Sequence, residues 1–292
     1  MRDISAERPS WKELLRKEKI LVLPAAHDAL TARLIERAGF RAYQIGGFAL
    51  VGSMHAAPDV DLEHFGEKSE AARNIIHSSK LPALVDCDDG YGDVKNVNRV
   101  IRSYELMGAA AVFIEDQKAP KRCGHMAKKE VIPVEDMEKK ICSAVDARRS
   151  LDFFILARTD AIEPNGLKDA LKRGERYLKA GADGLYFDGV ESKRELKKIG
   201  SAFEGVPLAT SVLERGGKTP VLSPEEFREL NFSMVLYPTT ILFRITRQVE
   251  RALEDLKAGR MMPVDESVDM NEFEDIVDLR YWAELEDRYY TR

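Results

Sequence analysis

Met107-Gly108-Ala109-Ala110-Ala111-Val112-Phe113-Ile114-Glu115 reads as a helix that stops at a glycine, a short apolar strand, and a carboxylate at the strand's end. Glycine accepts the left-handed conformation that a helix C-cap needs. The same pattern recurs at Ala38-Gly39-Phe40-Arg41-Ala42-Tyr43 and at Ala180-Gly181-Ala182-Asp183-Gly184-Leu185. Working outward from these repeats, short apolar runs appear at 20–24, 42–46, 83–87, 111–115, 153–158, 184–188, 207–211 and 234–237. Helical periodicity occupies intervals between them, for example 31–38, 94–107, 134–148, 167–180 and 224–230. Strands alternating with helices imply right-handed βαβ units and a parallel sheet. Eight such units predict an α/β fold, a (β/α)8 TIM-type barrel over residues 1–255, with a C-terminal helical extension over 256–292. A doubly wound open sheet is the structural rival. No G-x-G-x-x-G follows the first strand, which weighs against dinucleotide binding.

Composition narrows the class. With 292 residues, 44% hydrophobic and 33% charged, the chain can bury a large core. A formal net charge of −5 argues against a nucleic-acid partner. No apolar run approaches the roughly 20 residues of a membrane helix, so no membrane partner is expected. The segment from Met1 to Pro9 has no apolar core of a secretory signal. Three cysteines, Cys87, Cys123 and Cys142, are an odd number without metal-type spacing, and a reducing cytoplasmic location is expected. The pattern over 271–290 is that of one helix, with Phe273, Ile276, Val277, Leu279, Trp282 and Leu285 on an apolar face. Such a tail must cover the barrel bottom or dock on another subunit.

In a barrel of this type the C-terminal strand ends build the active site. Those ends carry His27 and Asp28, Gly46 and Gly47, Asp86 and Asp88, Glu115, Arg158 and Asp160, Asp188, Ser211 and Glu214, and Tyr237. Asp86 and Asp88 occupy alternate positions and so share one side. With Glu115 they offer three hard oxygen donors of the kind that suits Mg2+, which keeps several waters and takes further ligands from an anionic substrate. The plainer reading is an acidic loop paired with Lys or Arg. Arg158 could clamp a substrate carboxylate in bidentate fashion. Residues 121–125, Lys-Arg-Cys-Gly-His, set a thiol among cations that would favour thiolate. The plainer reading there is an inert loop cysteine. Cys123 could add or remove a proton at carbon, and the basic loop 118–130 is long enough to act as a lid.

These motifs resemble the isocitrate lyase/phosphoenolpyruvate mutase superfamily, nearest the 2-methylisocitrate lyase and 2,3-dimethylmalate lyase branch. The resemblance is carried by Pro58-Asp59, Asp86-Cys87-Asp88-Asp89-Gly90-Tyr91-Gly92, Glu115-Asp116-Gln117, Lys121-Arg122-Cys123-Gly124-His125, Ala157-Arg158-Thr159-Asp160-Ala161 and Gly217-Lys218-Thr219-Pro220. It spans roughly residues 24–251. It implies a barrel dependent on Mg2+, with Mn2+ as a substitute, and a homotetramer with exchanged C-terminal helices. It further implies Asp59, Asp86, Asp88 and Glu115 as metal ligands, some through water, and Cys123 and Lys121 as catalytic. Tyr43, Gly46, Gly47, Gly124, His125, Arg158, Asp188 and Ser211 would contact a small-molecule carboxylate substrate.

Three positions depart from the lyase pattern. The second strand usually ends in Ser-Gly and here reads Ile45-Gly46-Gly47; the sixth usually ends in Glu and here in Asp188; the seventh usually offers Asn and here Ser211. The metal carboxylates and the thiol remain while the pocket walls change. The resemblance thus implies a carbon–carbon lyase that cleaves a 2-hydroxy di- or tricarboxylate to pyruvate or glyoxylate and a carboxylate, through an enolate-like intermediate protonated by Cys123. The alternatives are an oxaloacetate-type decarboxylase or a carbon–carbon or carbon–phosphorus hydrolase of 2-oxo acids, and a non-catalytic ligand-binding barrel.

Overall fold

A computed structural model describes residues 8–290. Its strands are β1 (Leu21–Pro24), β2 (Tyr43–Ile45), β3 (Ala83–Asp86), β4 (Ala111–Glu115), β5 (Phe154–Thr159), β6 (Gly184–Phe187), β7 (Leu208–Ser211) and β8 (Met234–Tyr237). Each lies within one residue of its expected bounds. Every ladder is parallel, in the order β1-β8-β7-β6-β5-β4-β3-β2. The ring closes between β1 and β2, where Ala25 bridges Gln44 and the Ala26 amide donates to the Gln44 carbonyl at 2.9 Å. This is a (β/α)8 barrel.

The helices are α1 (Trp11–Lys17), α2 (Ala29–Arg37), α3 (Gly47–His55), α4 (Phe65–Ser78), α5 (Val94–Leu106), α6 (Val134–Ala147), α7 (Ile162–Asn165), α8 (Leu167–Lys179), α9 (Lys193–Ala202), α10 (Pro224–Glu229), α11 (Thr240–Lys257), α12 (Met270–Ile276) and α13 (Leu279–Tyr289). Local chemistry sets their starts. Asp28, Asp93, Ser192 and Ser223 each accept a first-turn amide, and Pro224 follows the Ser223 cap. The repeat glycines end helices in the left-handed region, Gly39 at φ 83°, Gly108 at 88° and Gly181 at 104°.

Two apolar clusters divide the barrel by strand alternation. Leu23, Leu84, Phe113, Leu156, Tyr186, Ala209 and Leu236 point inward and pack with Trp11 and Leu14 of α1. Tyr43, Ile45, Val85, Cys87, Ile114, Ala157 and Phe187 point outward and pack in the cluster that holds the helices. The short N-terminal helix α1 therefore supplies apolar groups to the barrel interior, a role the sequence pattern had left open for the C-terminal tail.

The chain divides into two compact units at Ile241/Leu242. The second contains most of α11 and the two tail helices. Where one helix was expected over 271–290, the chain breaks at Asp278, which sits at φ 60°. Within this unit Ile276 is buried, but Met270, Phe273, Leu279 and Trp282 are exposed. Among the described residues, no helix is long and apolar enough to cross a membrane.

Candidate active site

The period-two alternation that fills the barrel also delivers the site. One step beyond each inward apolar residue comes a polar one: Leu84 precedes Asp86, Phe113 precedes Glu115, Leu156 precedes Arg158, Tyr186 precedes Asp188 and Ala209 precedes Ser211. Glu115 and Arg158 are also register partners on β4 and β5. These groups line a cavity of about 40 Å³ at the C-terminal mouth of the barrel, together with Gly46, Gly47, Asp59, Lys121, Cys123, Gly124 and His125. At roughly 10–15 Å³ per water this holds about three waters. A di- or tricarboxylate could enter only if the loop over it opens.

Of the expected site residues, Tyr43 lies elsewhere. It points outward, is fully buried, and its hydroxyl donates to the Ile75 carbonyl at 3.4 Å. Its neighbour Gln44 takes the inward position and lines the cavity. Ile45 also faces outward into the helix-side core. Asp88 lies beside the cavity, joined to it through Lys121.

The acidic cluster is heavily paired. Lys121 Nζ reaches Asp59 Oδ1 at 2.6 Å and Asp88 Oδ1 at 2.6 Å. Lys68 Nζ, from α4, reaches Asp88 Oδ2 at 2.5 Å. Burial raises the Asp88 pKa, but the two ammoniums outweigh it and hold the carboxyl below its usual range. Asp86 accepts the Gly47 amide at 3.0 Å and the Asp88 amide at 2.9 Å. Its pKa is nonetheless raised, first by burial and then by Asp88. Glu115 is pushed well above the ordinary range, mainly by burial. One of its oxygens meets Arg158 Nη1 at 3.2 Å, while Oε1 is buried without a hydrogen-bond partner.

Arg158 does line the cavity, but its fork is occupied. Nε and Nη2 donate to Asp160 at 2.9 and 3.0 Å, and Nη2 also meets Asp188 Oδ2 at 2.7 Å. The guanidinium lies over the rings of Phe113 and Tyr186. The bidentate clamp expected for substrate is made to Asp160. Asp188 and Ser211, both departures from the lyase pattern, bond to each other: Ser211 donates to Asp188 Oδ1. The Lys218 amide donates to His125 Nδ1 at 3.0 Å, which leaves the ring proton on Nε2. Nε2 then donates to Ser211 Oγ at 2.8 Å.

The loop carrying the thiol is closed over the mouth. An antiparallel bridge, Gln117 to Val131, holds its base. The Cys123 amide donates to the Asp59 carbonyl at 3.2 Å, and Lys129, fully buried, donates to the Gly124 carbonyl at 2.5 Å and to Asp160 at 3.0 Å. The thiolate expected from the neighbouring cations does not form. Burial pushes the Cys123 thiol up to about 12. The His125 amide and Arg158 oppose this, while Asp59 and Asp188 add to it. The cations expected to oppose burial are engaged or exposed: Lys121 is committed to Asp59 and Asp88, Arg122 is exposed, and the His125 ring is bonded to the Lys218 amide and Ser211.

Gly124 leaves no room for a side chain. A Cβ there would lie 1.8 Å from Asp188 Oδ2 and 2.4 Å from Arg158 Nη2. Gly124→Ala is expected to expel the loop, lower turnover by at least about 10²-fold through loss of positioning, and leave barrel stability nearly unchanged. Limited proteolysis of 118–130 beside kcat and thermal melting checks this; a docked, protected loop with normal turnover would contradict it.

Sequence reasoning missed Lys68, Lys129 and Gln44. The signal for Lys68 was its place on a buried helix face, since 68, 72, 75 and 76 of α4 are all buried.

The chain matches the family model described as phosphoenolpyruvate phosphomutase over residues 11–257. It is 39% identical over 285 residues to 2,3-dimethylmalate lyase of Eubacterium barkeri, covering 96% of this chain and 97% of that protein. It is 36% identical over 275 residues to 2-methylisocitrate lyase of Aeropyrum pernix, covering 93% and 88% respectively. Among solved structures, a phosphonopyruvate hydrolase complexed with oxalate and Mg2+ superposes with a TM-score of 0.81 at 28% identity, covering 92% of this chain and 94% of that one.

Proposed function

Because the chain belongs to the phosphoenolpyruvate mutase/isocitrate lyase superfamily, we propose that it is a carbon–carbon lyase that cleaves a 2-hydroxy di- or tricarboxylate, of 2-methylisocitrate or dialkylmalate type, into a 2-oxo acid and a carboxylate. The observation that carries this reading is the Cys123 thiol on a cavity lined by carboxylates and cations, where burial favours its protonated form. Cleavage of the carbon–carbon bond leaves its electron pair on a carbon beside a carboxylate. That carbanion is far more basic than a thiolate, so a thiol with a pKa of about 12 donates its proton downhill. The backbone amide of His125 faces the sulfur and steadies the charge it acquires. Asp188, Ser211 and His125 form one hydrogen-bonded wall that orients the substrate.

The residues present fit a divalent cation. Among the described residues no three His, Cys, Asp or Glu side chains close on one point. Mg2+ asks for less, because it keeps several waters and uses one or two carboxylates. Asp86, which accepts backbone amides from Gly47 and Asp88, and Glu115, which meets Arg158 through one oxygen and has the other orphaned, are the carboxylates with oxygens to offer a cation. We propose that they hold Mg2+, or Mn2+ in its place, with Asp59 and Asp88 acting through water. The metal would polarise the oxo-acid oxygen and offset charge on the enolate as it forms.

A coupled assay for pyruvate and glyoxylate release over a panel of malate and citrate homologues, with and without Mg2+, tests the proposal. Absence of both products across the panel would sink it. Hydrolysis of a 2-oxo acid by a thiol-free variant would favour the second reading, a hydrolase like the structural neighbour.

We also propose that the tail, 256–292, is exchanged between subunits of a homotetramer in the cytoplasm. The support is the exposed Phe273, Leu279 and Trp282 of α12 and α13. Burying one such side chain is worth about 1.5–3 kcal/mol. Truncation at Val268 is expected to reduce the assembly while leaving the barrel's melting transition. Light scattering checks it: an unchanged mass distribution would leave the tail without an assembly role.

A further inference from the structure

Lys68 is 2% exposed and stands among the groups proposed to serve the metal. Its ammonium lies 2.5 Å from Asp88 Oδ2 and 5.9 Å from the centre of the Tyr91 ring. A Cβ built on Gly47 would lie 3.1 Å from Lys68 Nζ, 3.3 Å from Asp86 Oδ2 and 3.5 Å from Asp88 Oδ1. The lysine thus sits at the junction of both carboxylates, and Gly47 is what lets it approach. The four carboxylates Asp59, Asp86, Asp88 and Glu115 are faced by Lys68 and Lys121, with Arg158 paired to Glu115. Lys121 belongs to the loop motif that carries the thiol. Lys68 comes from the barrel helix α4, independent of that loop.

We propose that Lys68 is a resident counter-cation of this site. It neutralises Asp88 so that Mg2+ alone binds weakly, and the metal loads well only together with an anionic substrate. The inference deepens the metal-dependent lyase reading and rests on it. The physical ground is that a fixed positive charge a few ångströms from a cation site repels the incoming metal through a poorly screened interior. An anion that ligates the metal brings negative charge of its own and offsets that repulsion. A carboxylate cluster with one fewer lysine would take up the metal unaided. In this arrangement Lys68 is a positioning residue, since it touches a carboxylate and not the reacting atoms.

Isothermal titration of Mg2+ into metal-stripped full-length protein, with and without saturating oxalate, tests the idea without any turnover. In the wild type, oxalate is expected to tighten Mg2+ binding at least tenfold. In Lys68→Met, whose side chain fills the same space and leaves Asp88 paired with Lys121, Mg2+ alone is expected to bind about tenfold more tightly, with a smaller oxalate effect. Lys68→Arg, which keeps the charge, is expected to bind Mg2+ weakly as the wild type does. Mg2+ affinity in Lys68→Met equal to or weaker than wild type overturns the proposal and leaves the metal reading standing. Should that variant not fold, wild-type protein that binds Mg2+ alone as tightly as with oxalate overturns it equally. No Mg2+ binding to wild type under either condition removes the metal reading itself.

Discussion

Cys123→Ser lowers turnover by about 10²- to 10⁴-fold, the usual contribution of one placed acid–base group, and leaves the fold intact. The substitution is nearly isosteric, and no hydrogen bond of the closed loop runs through the sulfur except the one from the His125 amide. The backbone bond from the Cys123 amide to Asp59 and the Lys129 side-chain bonds to the Gly124 carbonyl and to Asp160 keep the loop docked in the variant. What is lost is acidity. A hydroxyl binds its proton far more tightly than a thiol, even a thiol raised by burial to about 12. Steady-state kinetics with the best substrate of the panel, beside a thermal melt, decides it. Near-normal turnover would remove the thiol from the reaction and favour the hydrolase or decarboxylase alternatives.

Removal of divalent metal by EDTA abolishes turnover while the melting temperature changes little. The two apolar clusters that hold the barrel contain none of the proposed metal carboxylates. The acidic groups have partners of their own: Asp59 and Asp88 hold Lys121 and Lys68, and Asp86 accepts two backbone amides. Loss of the cation therefore leaves few buried charges uncompensated, and Glu115, with one oxygen orphaned, keeps Arg158 on the other. A ligand present at ten times its Kd contributes only about 1.4 kcal/mol to stability. Turnover and thermal melting of stripped and Mg2+-restored protein check both halves. Undiminished activity without metal would refute the metal role, and collapse of the fold would refute the independence of the core.

The barrel was legible because its signals are local. Apolar runs of strand length, glycines at helix ends and polar residues at strand exits all lie within a few positions of one another. The alternation that places Phe113 inside also places Glu115 at the mouth, so most of the pocket could be read from strand ends. Tyr43 went astray by one position, because a single step along a strand turns a side chain to the other face. The break at Asp278 was hidden because the apolar spacing continues across it. The helix α1 was hidden because its buried Trp11 and Leu14 make too short a pattern to distinguish from chance.

The amino-acid sequence by itself determined the alternation of strands and helices, the barrel, and the inventory of groups at its mouth. Only the tertiary structure decided the state of those groups. Lys121 meets Asp59 across 62 residues and His125 meets Ser211 across 86, and such pairings follow from no local pattern. A basic flank around Cys123 suggests a thiolate when charges are counted along the chain. Folding buries the thiol, commits Lys121 to carboxylates and leaves Arg122 exposed, so that burial favours the protonated cysteine. The charge that matters to a side chain is the unpaired charge within a few ångströms in a medium of low dielectric, and that is set by packing.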